Sequence, residues 1–147
     1  MKILFYLLPV FIGVAMTVQS GINAQLRTAV GYPLLATFLS FLGGIVLLGI
    51  LLLFSKQSLP AWNLYGEISW YKYIGGFLGA FVVYAVIISV HKVGASNMFV
   101  LIVAGQLITA LWLDHYGLLG LRENPISTQK MLGILLVVAG AWLVNKK

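Results

Sequence analysis

Apolar residues form five long runs along the chain, and short polar stretches separate these runs. A helix needs roughly 20 mostly apolar residues to cross the hydrocarbon core of a bilayer, which is about 30 Å thick. Each run has about this length, so the pattern predicts an all-α membrane protein with a single transmembrane domain of five helices. The predicted spans lie at about 3–26, 33–54, 72–91, 95–119 and 128–145.

Most of the connections between the runs are short. The exception, residues 55–71, contains Trp62 and Trp70. Amphipathic indole rings favour the headgroup zone, so we expect this stretch to lie along the membrane interface. Ser127 or Thr128 is suited to cap the fifth span. Five spans leave no room for a folded soluble domain, and the first apolar run is too long for the core of a cleaved signal peptide.

The composition supports a membrane protein and argues against an enzyme. Hydrophobic residues make up 61% of the 147 positions and charged residues 8%, whereas a soluble domain has about 25% charged residues. The chain has no cysteine, and neither His91 nor His115 has a second ligand at metal spacing. Ser, His and Asp show no nucleophile-like grouping, and no loop is suited to cradle phosphate. The sequence therefore predicts no catalytic site, no metal and no cofactor.

Basic residues are divided almost equally between the two sides of the predicted bundle. They number nine, contribute to a net charge of +6 and form no cluster that suggests nucleic acid. Lipid headgroups are their expected partners. The side of the amino terminus has five and the other side four: Lys2, Lys56, Lys72, Arg122 and Lys130 against Arg27, Lys92, Lys146 and Lys147. An excess of Lys and Arg in cytoplasmic loops normally sets orientation. This small bias leaves two interpretations. The protein inserts in both orientations, or it has a single orientation, either because one span is miscounted or because a single residue decides the orientation.

Polar side chains inside the spans concentrate on two helix faces. The first span has Gln19, Ser20, Asn23 and Arg27, and the fourth span has Gln106 and Asp114. At about 100° per residue, the first set falls within an arc of about 100° around its helix and the second within about 80°. Polar groups in a membrane are costly and usually face the bundle interior, a cavity or each other. Asp114 lies about two turns inside its apolar run, so it needs a partner or a proton. We predict that these six residues line a substrate or coupling pathway; the alternative is structural hydrogen bonding between helices.

Glycines occur at helix-packing spacing in the third and fifth spans. On the third span, Gly75, Gly76 and Gly79 form overlapping pairs of small residues, which let helix backbones approach closely in lipid. These residues are predicted either to pack within one subunit or to contact a partner subunit. On the fifth span, Gly133 and Gly140 are two further small residues on the helix.

Two motifs resemble those of a known family. The run from Gln19 to Arg27, followed by Gly31-Tyr32-Pro33, resembles the first-helix motif of the YdcZ-type family in the drug/metabolite transporter superfamily. The stretch from Gly105 to Gly120 resembles that family's hallmark in the fourth helix. The resemblance covers essentially the whole chain. It implies half of a ten-helix transporter, completed by an antiparallel dimer as in short relatives of the superfamily, and it implies no particular substrate. Unlike the small multidrug exporters, this chain has no acidic residue in its first span.

These observations lead to an interpretation with two alternatives. We expect a transporter subunit of the prokaryotic plasma (inner) membrane that moves a small molecule by alternating access as a dual-topology homodimer. Its partners would be a second copy of itself, membrane lipid and a small-molecule substrate, with Arg27 as a gate or anion contact. The first alternative is a lipid-carrier flippase subunit, or an accessory protein that acts with a different small partner. The second is a purely structural interaction protein.

Overall fold

Helices account for nearly all of the described chain. The computed structural model describes the backbone of residues 2–146 and the side chains of residues 7–146, so the side chains of Lys2 and Lys147 in the charge tally lie outside it. No strand occurs in the described part. The helices are α1 (Lys2–Val30), α2 (Pro33–Phe54), α3 (Trp62–Glu67), α4 (Ile74–Val93), α5 (Ala95–His115) and α6 (Thr128–Asn145). Short 3-10 turns occur at Trp70–Tyr73 and Leu118–Gly120.

Five segments of the described chain are long and apolar enough to cross a membrane. They lie at Leu7–Val30, Pro33–Phe54, Trp70–Val93, Ala95–His115 and Thr128–Asn145. The predicted all-α architecture with five spans is therefore confirmed. The long connection contains α3, and the side chains of Trp62 and Trp70 are exposed. Its place at the membrane interface stays a prediction.

Helix α1 continues to Val30, past the predicted end at residue 26. The helix stops where Gly31 adopts a φ of 80°, a left-handed conformation that glycine adopts without steric cost. The N–H of Gly31 donates to the carbonyl of Arg27 at 2.9 Å. Pro33 then begins α2, because the first helical position does not need an N–H. Arg27 therefore lies within the helix instead of ending it.

The chain divides into two compact units, of which the first is Met1–Lys92. In this unit α1 packs against α2, with Ala24 and Ala36 buried. Small side chains let helix backbones approach closely in lipid, where apolar surfaces have no hydrophobic drive to associate. Helix α4 joins the unit through a hydrogen bond between the Arg27 guanidinium and the Ile87 carbonyl.

The second unit, Val93–Lys147, contains α5 and α6 as an antiparallel pair. Asp114 and Lys130 line one end of the seam between the two helices. Phe99 and Val144 line the other end. The seam is therefore charged at the end where α5 finishes and α6 begins, and apolar at the opposite end.

The end of α5 differs from the prediction. The helix ends at His115, although the apolar run continues and predicted a span to residue 119. Gly117 and Leu119 have φ angles of 59° and 58°, in the left-handed region that a right-handed helix does not contain. Asp114 therefore comes directly before the last residue of α5. The expectation that the helix of the fourth span continues past Asp114 to about residue 119 is corrected accordingly.

Candidate functional site

The polar stripe of α1 is partly buried. Ser20 and Asn23 are 3% and 5% exposed, and Arg27 is half-buried. The spacing of these three positions places them on one face of the helix. Gln19, the fourth predicted member, is exposed. The structure thus keeps three of the four predicted residues on an inward face and leaves Gln19 outside it.

Arg27 links α1 to α4. One guanidinium nitrogen donates to the carbonyl oxygen of Ile87 at 3.0 Å, and Ile87 is completely buried. A guanidinium has five N–H donors, and this is its one side-chain hydrogen bond among residues 7–146. The remaining donors are available to a further acceptor, such as an anionic group.

Buried hydroxyl groups bond within their own helices. Ser20 donates to the carbonyl of Thr17 at 2.9 Å. On α2, Thr37 is 5% exposed and donates to the carbonyl of Pro33 at 2.9 Å. Such local bonds satisfy a hydroxyl without any tertiary contact. Thr37 is absent from the predicted stripes, although a hydroxyl in an apolar span is the signal that identifies it.

The predicted polar residues of α5 do not share one buried site. Gln106 is exposed, whereas Asp114 is half-buried. Asp114 lines a groove of about 370 Å³ between α5 and α6, where Lys130 is the other charged residue and the remaining lining is apolar. Gln106 does not line this groove. The structure therefore places Asp114 beside a lysine that the sequence prediction did not include in the site.

The loop between α5 and α6 folds back onto the end of α5. The N–H of Asn124 donates to the main-chain carbonyl of Asp114 at 2.8 Å, and the N–H of Ile126 donates to Nδ1 of His115 at 3.3 Å. Lys130 holds the loop from α6, because its Nζ donates to the carbonyl and side-chain oxygens of Asn124 at 3.0 and 2.6 Å and to the next carbonyl at 2.9 Å. These contacts fix the surroundings of Asp114. They join three separate segments, which is why spacing along the sequence does not reveal them.

The glycines of α4 have two different environments. A Cβ added at Gly79 would lie 3.7 Å from the ring of Phe41, so this glycine packs against α2 within the chain. A Cβ added at Gly75 or Gly76 would meet no described atom within 4 Å. Both glycines are exposed, and they form an open small-residue face on α4.

The fold and the site define a small multi-pass membrane protein with buried polar side chains inside a span, an arrangement typical of transporters. Within the described residues, no group of three His, Cys, Asp or Glu side chains could hold a metal. The chain belongs to the family described as "Putative inner membrane exporter, YdcZ", whose model matches residues 4–143.

The chain is also similar to a curated protein over most of its length. The Inner membrane protein YdcZ of Escherichia coli (strain K12) is 32% identical over 139 residues, which cover 92% of this chain and 90% of the relative. No solved structure matches the chain. The resemblance based on the two motifs is confirmed. The chain is a multi-pass inner membrane protein of an exporter family and not of an enzyme family.

Proposed function

We propose that the chain is one subunit of a small-molecule exporter that acts as an antiparallel homodimer by alternating access. The observation that carries the proposal is the inward face of α1, where Ser20 and Asn23 are buried and Arg27 keeps donors available. Polar groups inside a span are costly and usually line a pathway or a helix contact. The description of the family as an exporter supports the transport role and its direction.

Surfaces that the chain leaves uncovered support a second copy. In four of the five spans, 6% of the residues in the apolar 18-residue stretch are buried, and in the span of α1 the share is 17%. Gly75 and Gly76 present an open face on which another helix backbone could pack closely. Many transporters place the substrate site between two related repeats. Two copies of a five-helix chain would supply those repeats.

The charge distribution supports an antiparallel arrangement. Five basic residues against four give little preference for one orientation. If the five spans alternate across the bilayer, Arg27 and Asp114 would lie toward opposite membrane surfaces in one copy. Inversion of a second copy would then bring its Asp114 to the depth of Arg27. A charge pair there would lower the cost of holding both groups near lipid. The proposed pathway therefore runs between copies and is lined by the first and fourth spans of both, with Arg27 of one copy facing Asp114 of the other.

Cysteine cross-linking tests this arrangement, because the chain has no native cysteine. Two single-cysteine chains, Arg27→Cys and Asp114→Cys, are co-expressed with different tags and oxidised in the membrane. We expect a mixed 27–114 dimer. The matched control pairs Lys56→Cys with Asp114→Cys, which an antiparallel dimer places at opposite surfaces, so no mixed band is expected. Strong 27–27 and 114–114 bands without the mixed 27–114 band would show a parallel dimer and overturn the proposal.

A further inference from the structure

A groove in two parts follows the seam between α5 and α6, and Val137 lines both parts. Its first part, of about 370 Å³, begins at Asp114 and Lys130 and reaches Val137. Its second part, of about 420 Å³, begins at Val137 and reaches Val144. Apart from Asp114 and Lys130, the lining consists of apolar residues and glycine. The groove therefore has one charged end and a long apolar remainder, which is the chemical pattern of an amphiphile.

Two glycines of α6 open this groove. Gly133 lines the first part and Gly140 lines the second. A Cβ added at either position would meet no described atom within 4 Å. Because glycine has no side chain, these two positions leave space along the seam that a ligand can occupy.

The Asp114 carboxylate at the charged end receives no hydrogen bond from a donor among the residues that the structure describes. Among residues 7–146, the hydrogen bonds include none to the Asp114 carboxylate. The three N–H donors of Lys130 are taken by two oxygens of Asn124 and one of Pro125. These oxygens are neutral, so the positive charge of Lys130 remains. A fitting ligand therefore donates hydrogen bonds to Asp114 and carries a negative group beside Lys130.

The dimensions of the groove match one leaflet of a bilayer. The charged end lies where α5 ends at His115 and α6 begins at Thr128, followed on the loop side by the polar residues Arg122 and Glu123. This end therefore suits headgroup depth. At about 1.5 Å per residue, positions 130–140 of α6 extend about 15 Å, which is half of a hydrocarbon core of about 30 Å. An acyl chain that starts at the charged end would fill the first part and reach Gly140 in the second.

We propose that this groove binds a phospholipid with a primary ammonium headgroup, such as phosphatidylethanolamine. The ammonium donates hydrogen bonds to Asp114, the phosphate lies near the charge of Lys130, and one acyl chain follows the seam to Gly140. A choline headgroup has no N–H to donate, and a glycerol headgroup has no positive charge for Asp114. In a copy whose Asp114 is not paired with Arg27 of a second copy, the bound ammonium gives Asp114 a partner of opposite charge. The inference does not rest on the proposed function, because it concerns binding to the purified protein.

Native mass spectrometry of the purified chain tests the site with three lipids of matched acyl chains: phosphatidylethanolamine, phosphatidylcholine and phosphatidylglycerol. We expect the parent to bind the ethanolamine lipid about tenfold more tightly than the other two, since a hydrogen bond to a charged group typically contributes this much. Asp114→Leu removes the acceptor oxygens and should bring the three affinities within about twofold. Equal binding of the three lipids by the parent, or an unchanged preference in Asp114→Leu, would overturn the proposal.

A second variant tests the groove independently of the charge. Gly133→Leu fills the first part of the seam and leaves Asp114 in place, so we expect weaker binding of all three lipids. The control is Gly44→Leu on α2, where an added Cβ also meets no described atom within 4 Å. Gly44 lines neither part of the groove between α5 and α6. Binding by Gly133→Leu that equals the control would show that the acyl chain lies elsewhere and would overturn the proposed site.

Discussion

Replacing Arg27 with methionine is expected to weaken the protein only slightly. The change removes the 3.0 Å hydrogen bond to the Ile87 carbonyl and keeps a long unbranched side chain. Ile87 lies inside α4, so its carbonyl also accepts the helical N–H four residues later and is not left without a donor. Hydrogen bonds between transmembrane helices contribute about 0.6 kcal/mol on average and about 1.7 kcal/mol at most. We therefore expect the free energy of unfolding to fall by about 0.6–1.7 kcal/mol.

The same variant should lose ligand binding if Arg27 contacts the substrate. Thermal unfolding of the purified parent, Arg27→Met and the control Lys92→Met is measured with chemically diverse anions, cations and neutral solutes. Lys92 is an exposed cation near the end of α4. A ligand at about 100 times its Kd stabilises a protein by about 2.7 kcal/mol. We expect at least one anion to stabilise the parent and the control but not Arg27→Met.

Two results would refute this reasoning. A loss of more than about 4 kcal/mol in Arg27→Met, which is exceptional for one substitution, would show that the guanidinium mainly holds the fold. Ligand stabilisation of Arg27→Met that equals the parent for every anion would show that its free donors do not contact substrate.

Three further predictions concern orientation, Asp114 and the start of α6. A single cysteine in Lys146→Cys should react with a membrane-impermeant thiol reagent in about half of the molecules in intact cells, because the basic residues give almost no bias; labelling near zero or near completion would show one orientation. Asp114→Asn should insert normally but transport substrate less well, because the amide lacks the negative charge that is proposed to pair with Arg27 of a second copy; unchanged transport would leave Asp114 a structural role. Ser127→Ala should lower the free energy of unfolding by about 1 kcal/mol, since Ser127 accepts the Lys130 N–H at 3.3 Å; an unchanged melting profile would contradict a capping role.

The five spans could be predicted because lipid demands uninterrupted apolar segments of a set length. Helix ends depend on local backbone conformation, and there the prediction was less accurate. The apolar run continues through Leu118 and Leu119, so hydropathy alone extends α5 past His115. The backbone turns at Gly117 and Leu119 instead. A leucine with positive φ is rare, so no rule of composition anticipates this turn.

The candidate site was predictable to a smaller extent. Helical spacing groups Ser20, Asn23 and Arg27, which are buried or half-buried, but an arc of about 100° also includes Gln19, which is exposed. Which edge of an arc faces inward depends on how the neighbouring helices pack. The sequence identifies Lys130 only as one of the basic residues near a membrane surface, because its position in the groove with Asp114 depends on the antiparallel packing of α5 and α6. Periodicity within one helix carries no information about such a contact.

The hydrogen bond between Arg27 and Ile87 also has a consequence for biogenesis. The acceptor follows the donor by 60 residues, and a ribosome that adds about 5–20 residues per second needs roughly 3–12 s to synthesise that stretch. During this interval α1 has left the ribosome before its partner carbonyl exists. We expect α1 to be held until then by its packing against α2, and its contact with α4 to form only when α4 emerges. Such a delay would give a nascent chain with nearly balanced flanking charges time to enter the membrane either way round.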